Sequence, residues 1–291
     1  MTEASEIRVA ACQILTFPEP ARSAEKVLAW LERAAEDQID VIAFPEACLC
    51  GYTCDEAYWK QADPAAFRVA EDQIVARARQ LGIAVVLGTA HREQGCWYNS
   101  LLVVDKGGLV RGRYSKTHLA ESWSTPGRAL PVYDLAGMRS CFMVCHDVRY
   151  PELVRLPAIA GAQICWFCSC ESGLLAEYKL SAYRCMPIAR AAENDIYLVM
   201  ANAPADRDNL DGASQSHGNS KVIDPDGNVV CEAGFFEETL VAATIDVRRA
   251  KRRWAQRAVE DKSVLQAWLR EGMQHVDREG CAGLSAGYPS V

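Results

Sequence analysis

The chain has 291 residues, of which 50% are hydrophobic, so it can bury a large core and form one large domain or two small ones. Its 31 basic and 38 acidic residues give a formal charge of −7, which disfavours nucleic acid and anionic membrane surfaces as partners. The sequence has no apolar stretch of the ~18–20 residues that a spanning helix needs, and its acidic, polar start argues against a secretory signal.

The first half of the chain alternates strand-like and helix-like hydrophobic patterns. These patterns predict strands over residues 7–13, 41–44, 83–89, 98–104 and 109–114, with helices over 19–38 and 64–80. The sequence Asp105-Lys106-Gly107-Gly108 is typical of a hairpin turn and joins the last two of these strands.

The second half continues this alternation. Strands are predicted over 139–144, 163–167 and 196–201, helices over 151–160 and 174–193, and a hairpin turn over 224–227. Pro187 is expected to kink or divide the longer helix. A basic cluster over 248–253, followed by Trp254, predicts a helix whose charges face water or a partner subunit.

Nothing in the sequence divides the chain into separate folding units. It has no glycine-serine or proline-rich linker, no low-complexity tract and no repeat of fixed period. We therefore expect one domain over 1–291, in which the region from about 255 is a helical extension or tail. The strands before and after Cys145 predict two sheets with helices outside them.

Cys145 lies where an apolar strand meets a turn that opens a helix. Pro151 is a preferred first helical residue, and Glu152 is favourable near the positive end of a helix dipole. Unpaired backbone N–H groups at such a turn are expected to lower the pKa of the thiol and to bind an oxyanion. Buried structural cysteines are also common, and position alone does not decide between these two roles.

Glu46 and Lys116 each follow the end of another predicted strand. Pro45 ends the strand ladder and leaves Glu46 as a candidate base. Lys116 follows the strand over 109–114 and is a candidate cation for an oxyanion. In isolation, each is better explained as a solvated surface charge, because charged residues are mostly exposed.

Three motifs in this order resemble the nitrilase superfamily of carbon–nitrogen hydrolases. They are Phe44-Pro45-Glu46, Ser115-Lys116-Thr117-His118-Leu119 and Cys145-His146-Asp147-Val148-Arg149-Tyr150-Pro151-Glu152. The resemblance continues through 189–194, 199–202 and 218–227, so it covers nearly the whole chain. It implies an α/β fold, an α-β-β-α sandwich of two mixed sheets with helices on the outer faces. It also implies a catalytic triad of Glu46, Lys116 and Cys145.

The chemistry of amide hydrolysis explains why these residue types belong together. An amide carbonyl is a poor electrophile, so a thiolate at Cys145 splits the reaction into acylation and deacylation through a thioester. Glu46 takes the thiol proton, passes it to the departing nitrogen and then activates water. Lys116 and the backbone N–H of His146 bind the oxyanion. This scheme requires no metal and no organic cofactor.

Glu121 precedes the pair Pro126-Gly127 in a segment where related enzymes often have a second glutamate. That glutamate hydrogen-bonds the catalytic lysine and helps to place the substrate, and the resemblance implies this role for Glu121. It stands one residue nearer to the Pro-Gly pair than is usual. A solvated loop carboxylate is the alternative.

The residues after Cys145 bear on the substrate. True nitrilases have an aromatic or small residue and then a glutamate there, whereas this chain has His146-Asp147, which favours amides over nitriles. By resemblance to small-amide and carbamoyl-amide hydrolases, Arg149 is expected to bind a substrate carboxylate, with an ion pair to Glu152 as the alternative. His146 either lines the pocket or is a satisfied loop histidine.

The 13 cysteines include two close groups. These are Cys48, Cys50 and Cys54, and Cys165, Cys168 and Cys170. Neither group has the paired spacing of a zinc site, and small apolar thiols fit a strand core, so we expect no metal. An odd cysteine count without a signal peptide suggests reduced thiols and a cytoplasmic protein.

The sequence therefore predicts a cysteine amidase that releases ammonia from a small amide. A carbamoyl hydrolase of the same superfamily and a catalytically silent binding or assembly module stay open as alternatives, and a metal-thiolate protein is the most remote one. In the family, a helix such as that over 174–193 packs against a partner subunit, so the resemblance implies a homodimer or higher homo-oligomer. The other expected partner is a small-molecule amide or carbamoyl substrate, not nucleic acid or a membrane.

Overall fold

The computed structural model describes residues 6–171, 177–208, 216–261 and 264–278. The strands in these ranges are β1 (Glu6–Gln13), β2 (Val41–Ala43), β3 (Ala84–Glu93), β4 (Cys96–Val104), β5 (Val110–Ser115), β6 (Leu130–Leu135), β7 (Met138–Val144), β8 (Ile164–Ser169), β9 (Tyr197–Asn202), β10 (Lys221–Ile223), β11 (Val229–Glu232), β12 (Thr239–Asp246) and β13 (Val276–Arg278). The helices are α1 (Pro20–Glu36), α2 (Glu56–Gln61), α3 (Pro64–Leu81), α4 (Glu152–Ile159), α5 (Glu177–Ala192), α6 (Arg253–Glu260) and α7 (Gln266–Gly272).

These strands form two mixed sheets. The first has the order β12-β1-β2-β3-β4-β5, and the second has the order β11-β10-β9-β8-β7-β6-β13. At the centre of each sheet three strands run parallel, β1 to β3 in one and β7 to β9 in the other. Parallel neighbours end at the same edge, so side chains that follow them are brought together across long sequence distances.

The two sheets pack face to face, and helices cover their outer faces. Along β1, Val9 and Ala11 enter the core between the sheets, whereas Ala10 and Cys12 enter the core that α1 and α3 cover. This alternation is the two-residue period of a strand with both faces buried. Leu153 and other residues of α4 pack on the second sheet. The predicted α-β-β-α sandwich is confirmed.

The helix over 64–80 illustrates why the local predictions held. Asp63 caps α3 by accepting a hydrogen bond from the backbone N–H of Ala65 at 2.8 Å, and Pro64 occupies the first helical position. Gly82 ends the helix with φ of +68°, a left-handed conformation that glycine adopts without strain.

Two predictions about helices need correction. Pro187 does not divide α5, which runs from Glu177 to Ala192 as one helix, and a kink at Pro187 stays a prediction. The residues 174–176 of the predicted helix lie outside the described ranges. The basic cluster is not one helix either, because Arg249 pairs with Asp224 and Asp226 and α6 begins only at Arg253.

The region from about 255 contains more than helices. After α7 the chain reaches β13, which pairs in parallel with β6 and adds an edge to the second sheet. Over the described ranges, no helix has both the length and the apolar character required to cross a membrane.

Candidate active site

Glu46, Lys116 and Cys145 follow β2, β5 and β7, as the sequence predicts. The chain carrying Glu46 passes very close to β3 at Gly88, where an added Cβ would lie 1.8 Å from the carbonyl oxygen of Pro45. Only glycine permits this approach. Lys116 is held by its backbone N–H, which donates to Asn99 O on β4 at 2.8 Å.

Lys116 lies between two glutamates. Its Nζ donates to Glu46 Oε1 at 2.8 Å and to Glu121 Oε2 at 2.7 Å, and all three side chains are fully buried. The predicted hydrogen bond between Glu121 and Lys116 is therefore present. A solvated loop carboxylate does not describe Glu121.

Asn99 was missed by the sequence analysis and joins the two glutamates. Its Nδ2 donates to Glu46 Oε1 and to Glu121 Oε1, both at 2.8 Å. The other oxygen of Glu46 accepts from the backbone N–H of Cys170 at 3.0 Å. Both oxygens of Glu46 are thus fixed by donors from the two sheets, which orients the carboxylate before any ligand binds.

Burial and mutual charge set the protonation of this cluster. Burial raises the pKa of Glu46, and the Lys116 charge only partly opposes it. Burial opposes the charged form of Lys116, yet Glu46, Cys145 and Glu121 together raise the pKa of this lysine. Burial opposes the charged form of Glu121, but the Lys116 charge and the hydrogen bonds from Lys116 and Asn99 lower its pKa.

The loop from Lys116 to Gly127 closes on itself and carries Glu121 inward. The backbone N–H of Gly127 donates to Lys116 O at 2.8 Å, and an added Cβ on Gly127 would lie 2.1 Å from Ser115 O. Ser124 Oγ donates to Glu121 Oε1 at 3.1 Å. The shorter spacing before the Pro-Gly pair does not keep Glu121 from reaching the lysine.

Cys145 opens a 3₁₀ helix, Cys145–Arg149, with φ of +45°. This left-handed backbone is unfavourable for a residue with a side chain and is typical of functional turns. The side chain is buried, and its Sγ lies 3.2 Å from Glu171 Oε2, to which it donates, and 3.6 Å from the hydroxyl of Tyr183. The sequence analysis did not single out Glu171 or Tyr183.

The predicted lowering of the Cys145 pKa is wrong. Burial raises the pKa of the thiol well above its ordinary value, and the Glu46 charge adds to this, whereas Lys116 opposes it. The expectation from backbone N–H groups at the turn considered only local structure. Desolvation and the carboxylates of other elements outweigh that local effect.

Asp147 fixes the turn that carries Cys145. Its carboxylate accepts from Tyr114 Oη at 2.7 Å, from the backbone N–H of His118 at 2.8 Å and from that of Val144 at 3.1 Å. Burial raises the pKa of Asp147 to about 6, although these hydrogen bonds oppose the shift. Asp147 therefore connects the end of β7 to the segment that carries Lys116.

His146 directly follows Cys145, and Arg149 ends the same 3₁₀ helix. His146 is half-buried, and burial and the Arg149 charge lower its pKa, so its ring is neutral at pH 7. Arg149 is exposed, and within the described ranges no ion pair joins it to Glu152. Substrate binding by His146 and Arg149 stays a prediction.

The clustered cysteines are mostly core residues. Cys48, Cys50, Cys165, Cys168 and Cys170 are buried, and Cys54 is exposed. In the described part of the chain, no three side chains of the metal-binding types are grouped so that they could hold an ion.

Known proteins share this sequence pattern and this fold. The family model of carbon–nitrogen hydrolases matches residues 8–253. An (R)-stereoselective amidase from Pseudomonas sp is 33% identical over 218 residues, 74% of this chain and 76% of that protein. A 2-oxoglutaramate amidase from Bacillus subtilis (strain 168) is 28% identical over 242 residues, 81% and 89% of the two chains. A solved mutant of the amidase from Nesterenkonia sp. AN1 is 25% identical, with a TM-score of 0.75 over 87% of this chain and 99% of that chain, and shows the result of Michael addition of acrylamide at its active-site cysteine.

Proposed function

Because the chain belongs to the carbon–nitrogen hydrolase family of the nitrilase superfamily, we propose that it hydrolyses a small non-peptide amide through a thioester on Cys145 and releases ammonia. The observation that carries this proposal is the pair of Glu46 and Lys116, which is fully buried and joined by a hydrogen bond of 2.8 Å. A buried ion pair is costly to desolvate and is poorly explained by stability alone.

The protonation states fit base-assisted attack. The thiol of Cys145 is protonated at rest because its pKa is raised, so the sulfur needs a base before it can attack. Glu46 is that base, and burial raises its pKa into a more basic range. Lys116 stays charged because its pKa is raised, so it serves as a fixed cation.

In acylation, the thiol proton passes to Glu46 while Sγ bonds to the carbonyl carbon and the carbonyl electron pair moves onto oxygen. Lys116 Nζ and the backbone N–H of His146 stabilise this oxyanion; the first N–H groups of a helical turn have no acceptor within it. Glu46 then gives the proton to nitrogen, the C–N bond breaks, ammonia leaves and a thioester remains on Cys145.

In deacylation, a water molecule gives a proton to Glu46 as its oxygen bonds to the thioester carbon. The tetrahedral intermediate collapses, the C–S bond breaks and the acid product leaves. The proton returns from Glu46 to sulfur, so the enzyme regains its resting state without a cofactor.

The test is ammonia release from a panel of small amides by wild type, Cys145→Ala, Cys145→Ser and Glu46→Gln. We expect no turnover by the alanine variant and nearly none by the serine variant, because an alcohol is harder to deprotonate. Intact mass should detect an acyl adduct on wild type only. Cys96→Ala removes an exposed thiol on β4 and serves as the matched control, which keeps full activity.

The panel also includes N-carbamoyl amines, whose hydrolysis would additionally release carbon dioxide. Ordinary ammonia release by Glu46→Gln would show that proton transfer is assigned to the wrong residue. Absence of both ammonia and adduct with wild-type protein would favour the catalytically silent module.

A further inference from the structure

A second group of buried polar side chains surrounds the Cys145 sulfur, and the proposed mechanism does not use it. Glu171 follows β8 and Tyr183 lies on α5, and both contact Sγ. Tyr183 also hydrogen-bonds Glu171. His217 packs edge-on against the Tyr183 ring, with 5.9 Å between ring centroids.

Asn202, at the end of β9, holds Glu171 and His217 in place. Its Oδ1 accepts from the backbone N–H of Glu171 at 3.2 Å and from Ser216 Oγ at 2.8 Å. These donors orient the amide, so its Nδ2 points to Gly218 O at 2.7 Å and to His217 Nδ1 at 3.5 Å. Nδ1 of His217 therefore faces a donor and acts as an acceptor.

The proton of the neutral His217 ring then lies on Nε2. Burial lowers the pKa of His217, which keeps the ring neutral at pH 7. His217 is 2% exposed, and its Nε2 has no hydrogen-bond partner within the described residues. A buried N–H donor without an acceptor is unfavourable and rare in folded proteins, so this atom points to an acceptor supplied by a ligand.

The position of this group relative to the sulfur indicates which part of a ligand it would contact. In a reactive complex the carbonyl carbon lies about 3–3.5 Å from the attacking atom. Glu171 and Tyr183, which contact Cys145 Sγ, therefore lie near the acyl chain of a bound amide, and Tyr183 and Asn202 link His217 to Glu171. The Glu171 carboxylate can accept several hydrogen bonds at once, and His217 Nε2 can donate one.

A hydroxyl is a small group that both donates to a carboxylate and accepts from an N–H. We propose that Glu171 and His217 bind a hydroxyl on the carbon next to the scissile carbonyl, so that the enzyme prefers 2-hydroxy amides to their deoxy counterparts. This inference rests on the proposed amidase function. An ammonium group could pair with Glu171, but it has no lone pair to accept the His217 proton.

The experiment compares kcat/KM for lactamide, propionamide and alaninamide, which differ in one substituent. Wild type should prefer lactamide over propionamide by about tenfold or more, since two hydrogen bonds distinguish them. His217→Phe keeps an aromatic edge against Tyr183 but removes the donor, so this preference should fall by about three- to tenfold. His217→Gln keeps an N–H and should retain part of the preference.

His91→Phe is the matched control, because it makes the same substitution at a histidine with other partners. His91 lies on β3, shares a hydrogen bond of 2.9 Å with Ser100 and stacks on the Tyr98 ring. Its lactamide-to-propionamide ratio should equal that of wild type. Equal kcat/KM for the two amides in wild type, or a preference for alaninamide, would overturn the hydroxyl proposal while leaving the amidase function intact. An unchanged ratio in folded His217→Phe would overturn it as well. No ammonia from any of the three amides or the wider panel would instead overturn the proposed function, and this inference with it.

Discussion

Two sets of paired charges in this protein differ in how deeply their members are buried. Lys116 and its partners Glu46 and Glu121 are fully buried. Arg253 leaves 55% of its side chain exposed and reaches Asp195, whose side chain is 1% exposed. The Arg253–Asp195 pair connects α6 to the turn before β9, and this structural role is sufficient to explain it. The first takes three charged groups out of water, which stability does not account for.

The largest effect is expected from removal of the buried cation. Lys116→Met keeps the side-chain length but leaves two buried carboxylates facing each other without a cation. The free energy of unfolding should fall by about 3–5 kcal/mol, the usual loss when one partner of a buried pair is removed. The kcat/KM of the folded protein should fall by about 10²–10³, the effect of losing one oxyanion donor. Urea unfolding and ammonia release measure the two effects separately.

Lys221→Met is the matched control for that experiment. Lys221 is also buried, and its Nζ donates to Asn219 Oδ1 at 2.8 Å and Glu232 Oε2 at 3.0 Å, which belong to a different cluster. It should lose stability and keep its kcat/KM per folded molecule. If ammonia release by Lys116→Met merely followed its folded fraction, the lysine would have a structural role only.

A smaller effect is expected at the other glutamate of the cluster. The Glu121 charge helps to raise the pKa of Glu46, although burial is the largest cause. Since the base must be ionised, kcat/KM rises as pH rises through the pKa of Glu46, which lies above the ordinary glutamate value. Glu121→Gln should lower that pKa and move the acid side of the profile to lower pH. The plateau should fall about ten- to hundredfold, because a charged hydrogen bond to Lys116 is lost.

The test compares the pH dependence of kcat/KM for Glu121→Gln with that for Glu56→Gln, which replaces an exposed glutamate on α2. A shift of the acid limb to higher pH, or no shift, would contradict the coupling between Glu121 and Glu46.

The sequence predicted where Glu46, Lys116 and Cys145 lie on the strands better than it predicted which residues surround them. Strand ends can be located from hydrophobic period and from Pro45, so Glu46, Lys116 and Cys145 were placed at the correct edges. The contact between Lys116 and Glu46 is a consequence of sheet order, which local patterns do not specify, and only the family resemblance implied it. Strands of three or four residues, such as β10 and β11, are too short to show a period.

The site residues that were not predicted from the sequence lie mainly on loops. Glu171 follows a strand end just as Glu46 does, so the same reasoning was available for it. His217 lies between a segment outside the described ranges and β10, and nothing in its neighbours indicates burial. The pKa of Cys145 was predicted in the wrong direction because desolvation depends on elements far away in sequence.

The smallest effect is expected at the Arg253–Asp195 pair, in which only the arginine is exposed. The guanidinium of Arg253 donates to Asp195 from Nε at 2.8 Å and from Nη2 at 3.0 Å. Arg253→Ala should lower Tm by only about 1–3 °C, because one partner is solvated, and should leave ammonia release unchanged.

The contribution of this pair to stability depends on pH. Burial favours the protonated form of Asp195, but the hydrogen bonds from Arg253 outweigh burial and lower the pKa of Asp195. The pair therefore stabilises the fold above the unfolded pKa of about 3.9, and this contribution is lost as pH falls through the folded value. The difference in Tm between wild type and Arg253→Ala should accordingly shrink on acidification. A folded Arg253→Ala protein with strongly reduced ammonia release would show instead that the Arg253–Asp195 pair acts on the active site, and the contrast between this pair and the buried Lys116 cluster would no longer hold.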